Sequence, residues 1–597
     1  MAVRRGSFAF GCAAAAALVV AAYANSFRNS FHFDDAHVIE TNVYIRSLHN
    51  VPLFFTDAHT FSSLPQNSTY RPLVTLSLAL DYARGGLDPA PYHVTQIVLL
   101  MVTGALLLIF FTPLIGEWPA LFAATLFCVH TANTETMNLI SARSELLSAI
   151  GLLGSFVLFQ RSPFARRTLL YLIPLALGSL AKAPVVVFAP LLFFYVRWFE
   201  EKRNAWRDAV PPLILGIIAI VVLNRMNAPE WKSGGGDAYG YVMTQPWIWL
   251  HYVRLFFLPA GLTADTDWTA LAHWYDTRAI AGDVFVILLI VAIARIPRRP
   301  IKFGLTWFAI ALVPTSLFPL AEVANEHRVF FAYMGLVLAL GDVGRTLVRP
   351  GRVEARPTFA IAILIAFAIG TFERNKVWRT EETLWADVVR KSPANGRAWM
   401  NYGLTQMVKG QFAAAKSSFE QAATLVPNYS TLEINRGIVE GELGDQASAE
   451  MHFRRALALN PDAYGHYYYA RWLVQGGRGP EALPHLIAAI HLSPAFADPR
   501  ALLLQINGGS DASFSSYDAA FRAGLEAIGK SDWASAAEAN RQALRFNPRS
   551  ADAWNNLGWA YQKMGFLERA APAYENALAI QPDYERARNN LALIRKH

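Results

Sequence analysis

Two adjacent carboxylates, Asp34 and Asp35, follow the stretch Phe31-His32-Phe33 shortly after the apolar run 8–24 ends. Carboxylates this close to lipid are costly unless directed into a protein cavity, where they usually serve function. In such a pair one carboxylate acts as general base toward an acceptor hydroxyl, while the other orients it or raises its pKa by like-charge repulsion. The alternative for the same two residues is a helix N-cap in front of Ala36-His37-Val38.

Other polar residues break the apolar pattern at intervals: Tyr70-Arg71-Pro72, then His130 and Glu135, then Arg143 and Glu145, then Lys182, then Glu326 and Arg328 around His327. Cations converging from these places suit a lipid-linked phosphate, with arginine favoured for its bidentate geometry. Taken singly, each residue also suits the anchoring of a helix end at the headgroups. Asp265-Thr266-Asp267 has the form of a metal-binding DxD, but no Rossmann-like pattern accompanies it. The two cysteines, Cys12 and Cys128, sit in apolar runs and have no zinc spacing to any histidine. Neither a metal nor a cofactor is expected. No P-loop, no GxGxxG after a strand and no Ser/His/Asp constellation is visible.

The elements that must position these residues are mostly membrane helices. Hydrophobic residues make up 54% of the 597 and charged residues 16%, against about 25% charged in a soluble protein. Apolar stretches at 8–24, 94–115, 118–131, 145–160, 168–181, 184–199, 209–224, 281–296, 302–319, 329–347 and 357–373 predict about eleven spans. The net charge of +8 does not read as a nucleic-acid signal, because arginine and lysine cluster in short loops: 161–167, 197–207, 295–302 and 345–356. Those loops belong on the cytoplasmic side. The acidic pair, the other polar sites and the C-terminal part then lie outside. The Trp-rich segment 244–259, with His251 and Arg254, is expected to be interfacial or re-entrant.

Beyond residue 373 the chain repeats. Prolines at 393, 427 and 461 keep the 34-residue tetratricopeptide (TPR) period, as do Pro548 and Pro582, with Pro494 one residue short. Trp554, Leu557, Gly558, Tyr561, Ala570, Tyr574, Ala577 and Pro582 form the clearest unit. Residues 495–514, with Gly508-Gly509, read as a degenerate insert, and 583–597 as a capping helix. The expected fold is all-α: a polytopic membrane domain over 1–373 with a large outer loop at 25–93, a connecting helix or degenerate repeat over 374–393, and TPR repeats over 394–597.

An N-terminal span, an acidic pair in a long loop, Tyr70-Arg71-Pro72-Leu73, His130-x4-Glu135 followed by Arg143-Ser144-Glu145-Leu146-Leu147, Lys182 after the fifth span, Asn325-Glu326-His327-Arg328 and then TPRs form one ordered series. This series resembles the transmembrane-and-TPR-containing O-mannosyltransferase family and its bacterial relatives, within the GT-C glycosyltransferase superfamily. The resemblance implies a metal-independent enzyme that moves a sugar from a polyprenyl-phosphate carrier to a protein Ser or Thr hydroxyl. It maps the acidic pair onto Asp34 and Asp35, with Asp34 as the base. It maps the substrate-binding positions onto Tyr70, Arg71, His130, Glu135, Arg143, Glu145, Lys182, Glu326 and Arg328. Two departures are Ala183, where an acidic residue often follows the lysine, and His327, which interrupts the Glu-Arg pair.

The expected partners are the lipid-linked donor, an acceptor protein held by the TPR domain, and membrane lipid, with no nucleic acid. An oligosaccharyltransferase or ligase using a polyprenyl-diphosphate glycan is a second reading, and a non-enzymatic TPR scaffold for envelope assembly a third. Arginine in excess over lysine and abundant alanine suit a GC-rich bacterium, hence an inner membrane with a periplasmic TPR domain.

Overall fold

The computed structural model describes residues 2–229, 237–347, 355–493, 496, 498–506, 514, 516–564 and 566–595. Gly508-Gly509, Pro494, Arg349 and Arg352 lie outside the described residues, while the expected insert over 495–514 contains the helix Asp498–Ile506. Helices account for the regular structure among them. The chain divides into two compact units, residues 1–394 and 395–597.

In the first unit seven helices are long and apolar enough to cross a membrane: Gly6–Arg28, Pro89–Ile115, Ile140–Arg161, Ala205–Met226, Thr277–Arg295, Arg299–Leu317 and Thr358–Arg379. Three expected spans come out shorter. Residues 118–131 supply Glu117–Val129, 168–181 only Leu172–Ser179, and 184–199 the helix Phe188–Phe199. At a rise of 1.5 Å per residue none of them reaches the ~30 Å of a hydrocarbon core. They pack among the longer helices, where Phe110, Phe156, Phe188, Tyr195, Phe303 and Trp307 make a continuous aromatic core. The segment 244–259 lies within the 20-residue helix Ala238–Phe257. Helices Arg299–Leu317 and Val329–Leu347 touch at Gly304 and Gly335, where an added Cβ on either would meet the other's carbonyl oxygen. Small residues at a crossing let membrane helices approach this closely.

The loops that carry the basic residues meet at one end of the bundle. Arg166 pairs with Glu200 at 2.6 Å, Arg299 with Glu201, and Arg298 with Asp342 at 2.8 Å. The loop over 25–93 is folded rather than slack. Phe31, Val38, Ile39, Ile45, Phe54, Phe61, Val74, Leu78 and Tyr92 close on one another, with Ile140 and Ala181, as a separate small core.

The second unit consists of helical hairpins: Gly396–Val408 with Phe412–Leu425, Ser430–Glu442 with Gln446–Leu459, Ala463–Gln475 with Gly479–Leu492, Tyr517–Gly529 with Trp533–Phe546, and Ala551–Lys563 with Leu567–Ile580. Four of these five hairpins close where a glycine of the first helix meets a side chain of the second. Gly403 faces Phe419, Gly437 faces Phe453 and Gly558 faces Tyr574. In the fourth hairpin Asn540 takes the aromatic's place against Gly524. The last helix, Glu585–Ile594, buries Ala587, Leu591 and Ile594, and so covers the apolar face of the preceding repeat.

Residues 395–597 expressed alone should therefore be soluble and helical by circular dichroism. In that fragment Gly558→Leu would press on Tyr574, whose Cδ1 lies 2.8 Å from an added Cβ. Overpacking of this kind costs about 1–3 kcal/mol, so the thermal midpoint should fall by several degrees. Gly479→Ala, with nothing within 4 Å of the new methyl, should leave it unchanged or raised.

Candidate functional site

The acidic pair sits at a sharp turn. Phe33 adopts φ 50°, a left-handed conformation rare for a bulky residue and usually tied to function. The Phe33 ring is held against Trp378 and Trp385, and His32 hydrogen-bonds Glu381 Oε1 and the Trp378 carbonyl, each at 2.6 Å. The turn sends the two carboxylates in opposite directions. Asp35 is fully buried, while the Asp34 side chain is 67% exposed.

Asp35 accepts three backbone N–H bonds: from His32 at 3.3 Å, Ile140 at 3.1 Å and Ser141 at 2.7 Å. Burial pushes its pKa up to about 6, against the pull of those donors. With both oxygens engaged and no exposure, Asp35 holds the turn and presents no open oxygen at the surface that Asp34 reaches. The N-cap alternative is not realised, because neither carboxylate caps the short helix Ala36–Glu40; the Asp34 carbonyl instead accepts from the N–H groups of His37 and Val38.

Asp34 faces a group of charges. Burial raises its pKa, but the hydrogen bond and charge that His37 supplies once its ring is protonated, with the charges of Arg71 and His327, outweigh that, and the net shift is downward. Asp34 is therefore ionised near neutral pH and able to take a proton. Arg71 also lies over the Phe61 ring at 5.2 Å. Lys182 pairs with Glu145, and its ammonium feels Arg71 and Arg328. Arg328 donates to the carbonyls of Glu322 at 2.8 Å and Val323 at 3.3 Å, and to the Tyr241 hydroxyl at 3.2 Å. The Tyr70 hydroxyl donates to the Phe55 carbonyl at 2.8 Å, bracing the loop beside Arg71.

Behind this group lie two buried carboxyl groups. Glu135 Oε1 meets His327 Nδ1 at 2.8 Å, and Glu326 Oε1 accepts from the Thr263 N–H at 2.5 Å. Burial pushes both glutamates up, while Arg374 pulls both down; burial drives His327 down to about 3. Arg374 continues the network to Asp387 at 2.5 Å, and Lys391 meets the same carboxylate at 2.7 Å. Arg374 and Lys391 are the charged residues of a cavity of about 370 Å³ whose other walls include Phe257, Pro259, Leu262 and Phe367.

The structure thus brings together Asp34, Arg71, Glu145, Lys182, Glu326, Arg328 and Glu135. Two expected substrate-binding residues stand apart. His130 is fully buried, with Nε2 against the Phe256 carbonyl at 3.0 Å and Nδ1 accepting from the Ala132 N–H. Arg143 is fully buried on Asp81 at 2.5 Å, Gln96 at 3.1 Å and the Tyr92 carbonyl at 3.0 Å. Both are enclosed by these partners. Asp267 of the DxD accepts from the Ala394 N–H at 3.3 Å. Sequence reasoning missed His37, Arg374, Asp387 and Lys391. It also took 374–393 for a connector, whereas Trp378, Glu381 and Trp385 form a wall of the site.

Fold and site together define a multi-pass helical membrane protein that carries TPR repeats and an exposed carboxylate within a cationic cluster. Tetratricopeptide-repeat family models match residues 396–429, 521–562 and 551–584. The chain is 22% identical to the human protein O-mannosyl-transferase TMTC3 over 97% of its own length and 68% of that protein's. It is 23% identical to Drosophila melanogaster Tmtc3 over 78% of its length and 60% of that protein's. The chain is thus a relative of the TPR-containing protein O-mannosyl-transferases. The crystal structure of YrrB, a TPR protein with an unusual peptide-binding site, matches 34% of this chain and 96% of its own at 19% identity and a TM-score of 0.21.

The two aspartates should separate under conservative substitution. Asp35→Asn turns an NH2 toward backbone donors, and an unmet buried hydrogen bond costs about 1–3 kcal/mol. The purified protein should then unfold at a lower temperature. Asp34→Asn, at an exposed carboxylate, should leave the midpoint within the scatter of surface substitutions, about 0.5 kcal/mol. Equal midpoints for the two variants would remove the positioning role of Asp35.

Proposed function

We propose that this protein is a membrane glycosyltransferase of the GT-C type. It moves a sugar, mannose in the first instance, from a polyprenyl-phosphate carrier to a Ser or Thr hydroxyl of a protein. The observation that carries the reading is Asp34: an exposed, ionised carboxylate beside Arg71, in one cluster with Lys182 and Arg328. A hydroxyl is a poor nucleophile until its proton leaves, and a positioned base contributes about a hundred- to ten-thousand-fold. Asp34 takes that proton as the oxygen attacks the anomeric carbon. The carrier phosphate departs with the bonding electrons toward the arginine and lysine side chains, which neutralise its growing charge. The cavity lined by Arg374, Lys391 and apolar side chains supports an amphiphilic donor, since it offers cations at one place and greasy walls around it. The TPR unit presents the acceptor segment. The catalytic side faces away from the cytoplasm, in a bacterium the periplasm, because the ion-paired basic loops share the opposite end of the bundle.

Asp34→Asn should insert and fold yet lose transfer by at least a hundredfold, assayed on purified protein with polyprenyl-phosphate mannose and a threonine-containing peptide. A chelator should not inhibit the wild type. Near-normal transfer by Asp34→Asn would refute the base.

A reporter active only outside the cytoplasm, fused after residue 597, should be active. An inactive reporter, with a cytoplasmic reporter active at the same point, would overturn the orientation.

A further inference from the structure

Behind the proposed base stands a histidine whose hydrogen bonds leave it one task. Ser62 Oγ has a single proton, and it donates that proton to the Leu64 carbonyl at 2.9 Å. The same oxygen accepts from the Leu64 N–H at 2.9 Å. Toward His37 Nδ1, also at 2.9 Å, it can therefore only accept. His37 Nδ1 carries the ring proton of the neutral imidazole, and Nε2 keeps its lone pair. That lone pair accepts from Asn67 Nδ2 at 3.1 Å and faces Asp34 Oδ1 at 3.4 Å.

The ring is held from its backbone as well. The His37 N–H donates to the Asp34 carbonyl, and the His37 carbonyl accepts from the Ser63 N–H at 2.9 Å. The His37 side chain is 11% exposed against 67% for Asp34. The carboxylate faces outward, and the imidazole nitrogen lies behind it, out of bulk water.

We infer that His37 is a positioning residue that receives, at Nε2, the proton Asp34 takes from the acceptor. This rests on the reading of Asp34 as the base. The hydroxyl O–H bond breaks, and its electron pair forms the new bond to the anomeric carbon. The bond from that carbon to the carrier phosphate breaks with its pair on phosphate. The proton goes to Asp34 and then to His37 Nε2, leaving an imidazolium beside a regenerated carboxylate. It returns to water once the product has left. Besides His37, the charged or titratable groups that bear on Asp34 are Arg71 and His327. Arg71 favours the ionised carboxylate, and so favours moving the proton onward.

The test uses the full chain with polyprenyl-phosphate mannose and a threonine-containing peptide. His37→Gln keeps hydrogen-bonding capacity but cannot take a proton. It should lower kcat at least tenfold while the donor KM changes less than twofold. In the wild type the rate should fall on the acid side. In His37→Gln that limb should move to lower pH. Added imidazole should restore turnover to His37→Gly, which a merely structural histidine would not allow. Ser62→Ala, which releases Nδ1, should lower kcat several-fold and keep the wild-type acid limb, giving a second reading if the glycine variant does not fold. Wild-type kcat and acid limb in His37→Gln, with Asp34→Asn inactive, would overturn the role of His37 and leave the base standing. Normal transfer by Asp34→Asn would overturn both.

Discussion

The Asp35 carboxylate ties two stretches of chain into one piece. Its three N–H partners come from His32 on its own turn and from Ile140 and Ser141, more than a hundred residues away in sequence. A carboxylate can be held this way inside a protein because each oxygen meets donors that water would otherwise supply. Once that anchor is set, the geometry of its neighbour follows. Phe33 must turn through the left-handed region, its ring must lie against two indoles, and Asp34 must emerge on the other side. Asp34 is exposed because Asp35 is buried.

The same economy governs the charges behind it. Buried ions are tolerated only in pairs or networks, since desolvation otherwise exceeds their attraction. Arg143 with Asp81, and Arg374 with Asp387 and Lys391, meet that condition and act as internal struts. Glu135 and Glu326 meet it only in part, and each keeps one buried oxygen without a hydrogen-bond partner. Burial raises the pKa of both, which favours their neutral forms.

Local patterns carried much of this. The acidic pair, Tyr70-Arg71, Lys182 and the Glu326–Arg328 turn each stand out within a few residues, and the 34-residue period marks the repeats without any structure. What stayed hidden depends on contacts between distant residues. No window of sequence reveals that Asp35 accepts from Ser141, that Arg143 closes on Asp81, or that His37 is pinned by Ser62. Hydropathy also reads a short apolar helix such as Leu172–Ser179 as a span, because both are apolar and only length in the fold separates them. The stretch 374–393 looked like a joint because it lies between two legible patterns. Its chemistry belongs to residues 340 or more positions earlier.

That stretch also sets where the chain can be recombined. Trp378, Glu381 and Trp385 are bound to the N-terminal loop, so the first compact unit ends after the helix Glu381–Lys391 and not with the last apolar helix. A gene fusion made directly after the last apolar helix would strip Phe33 and His32 of their partners. One made at residue 394 would keep them and still exchange the whole repeat array. The architecture is modular at that joint, and a lineage could acquire a new recognition surface there while its chemistry stayed unchanged.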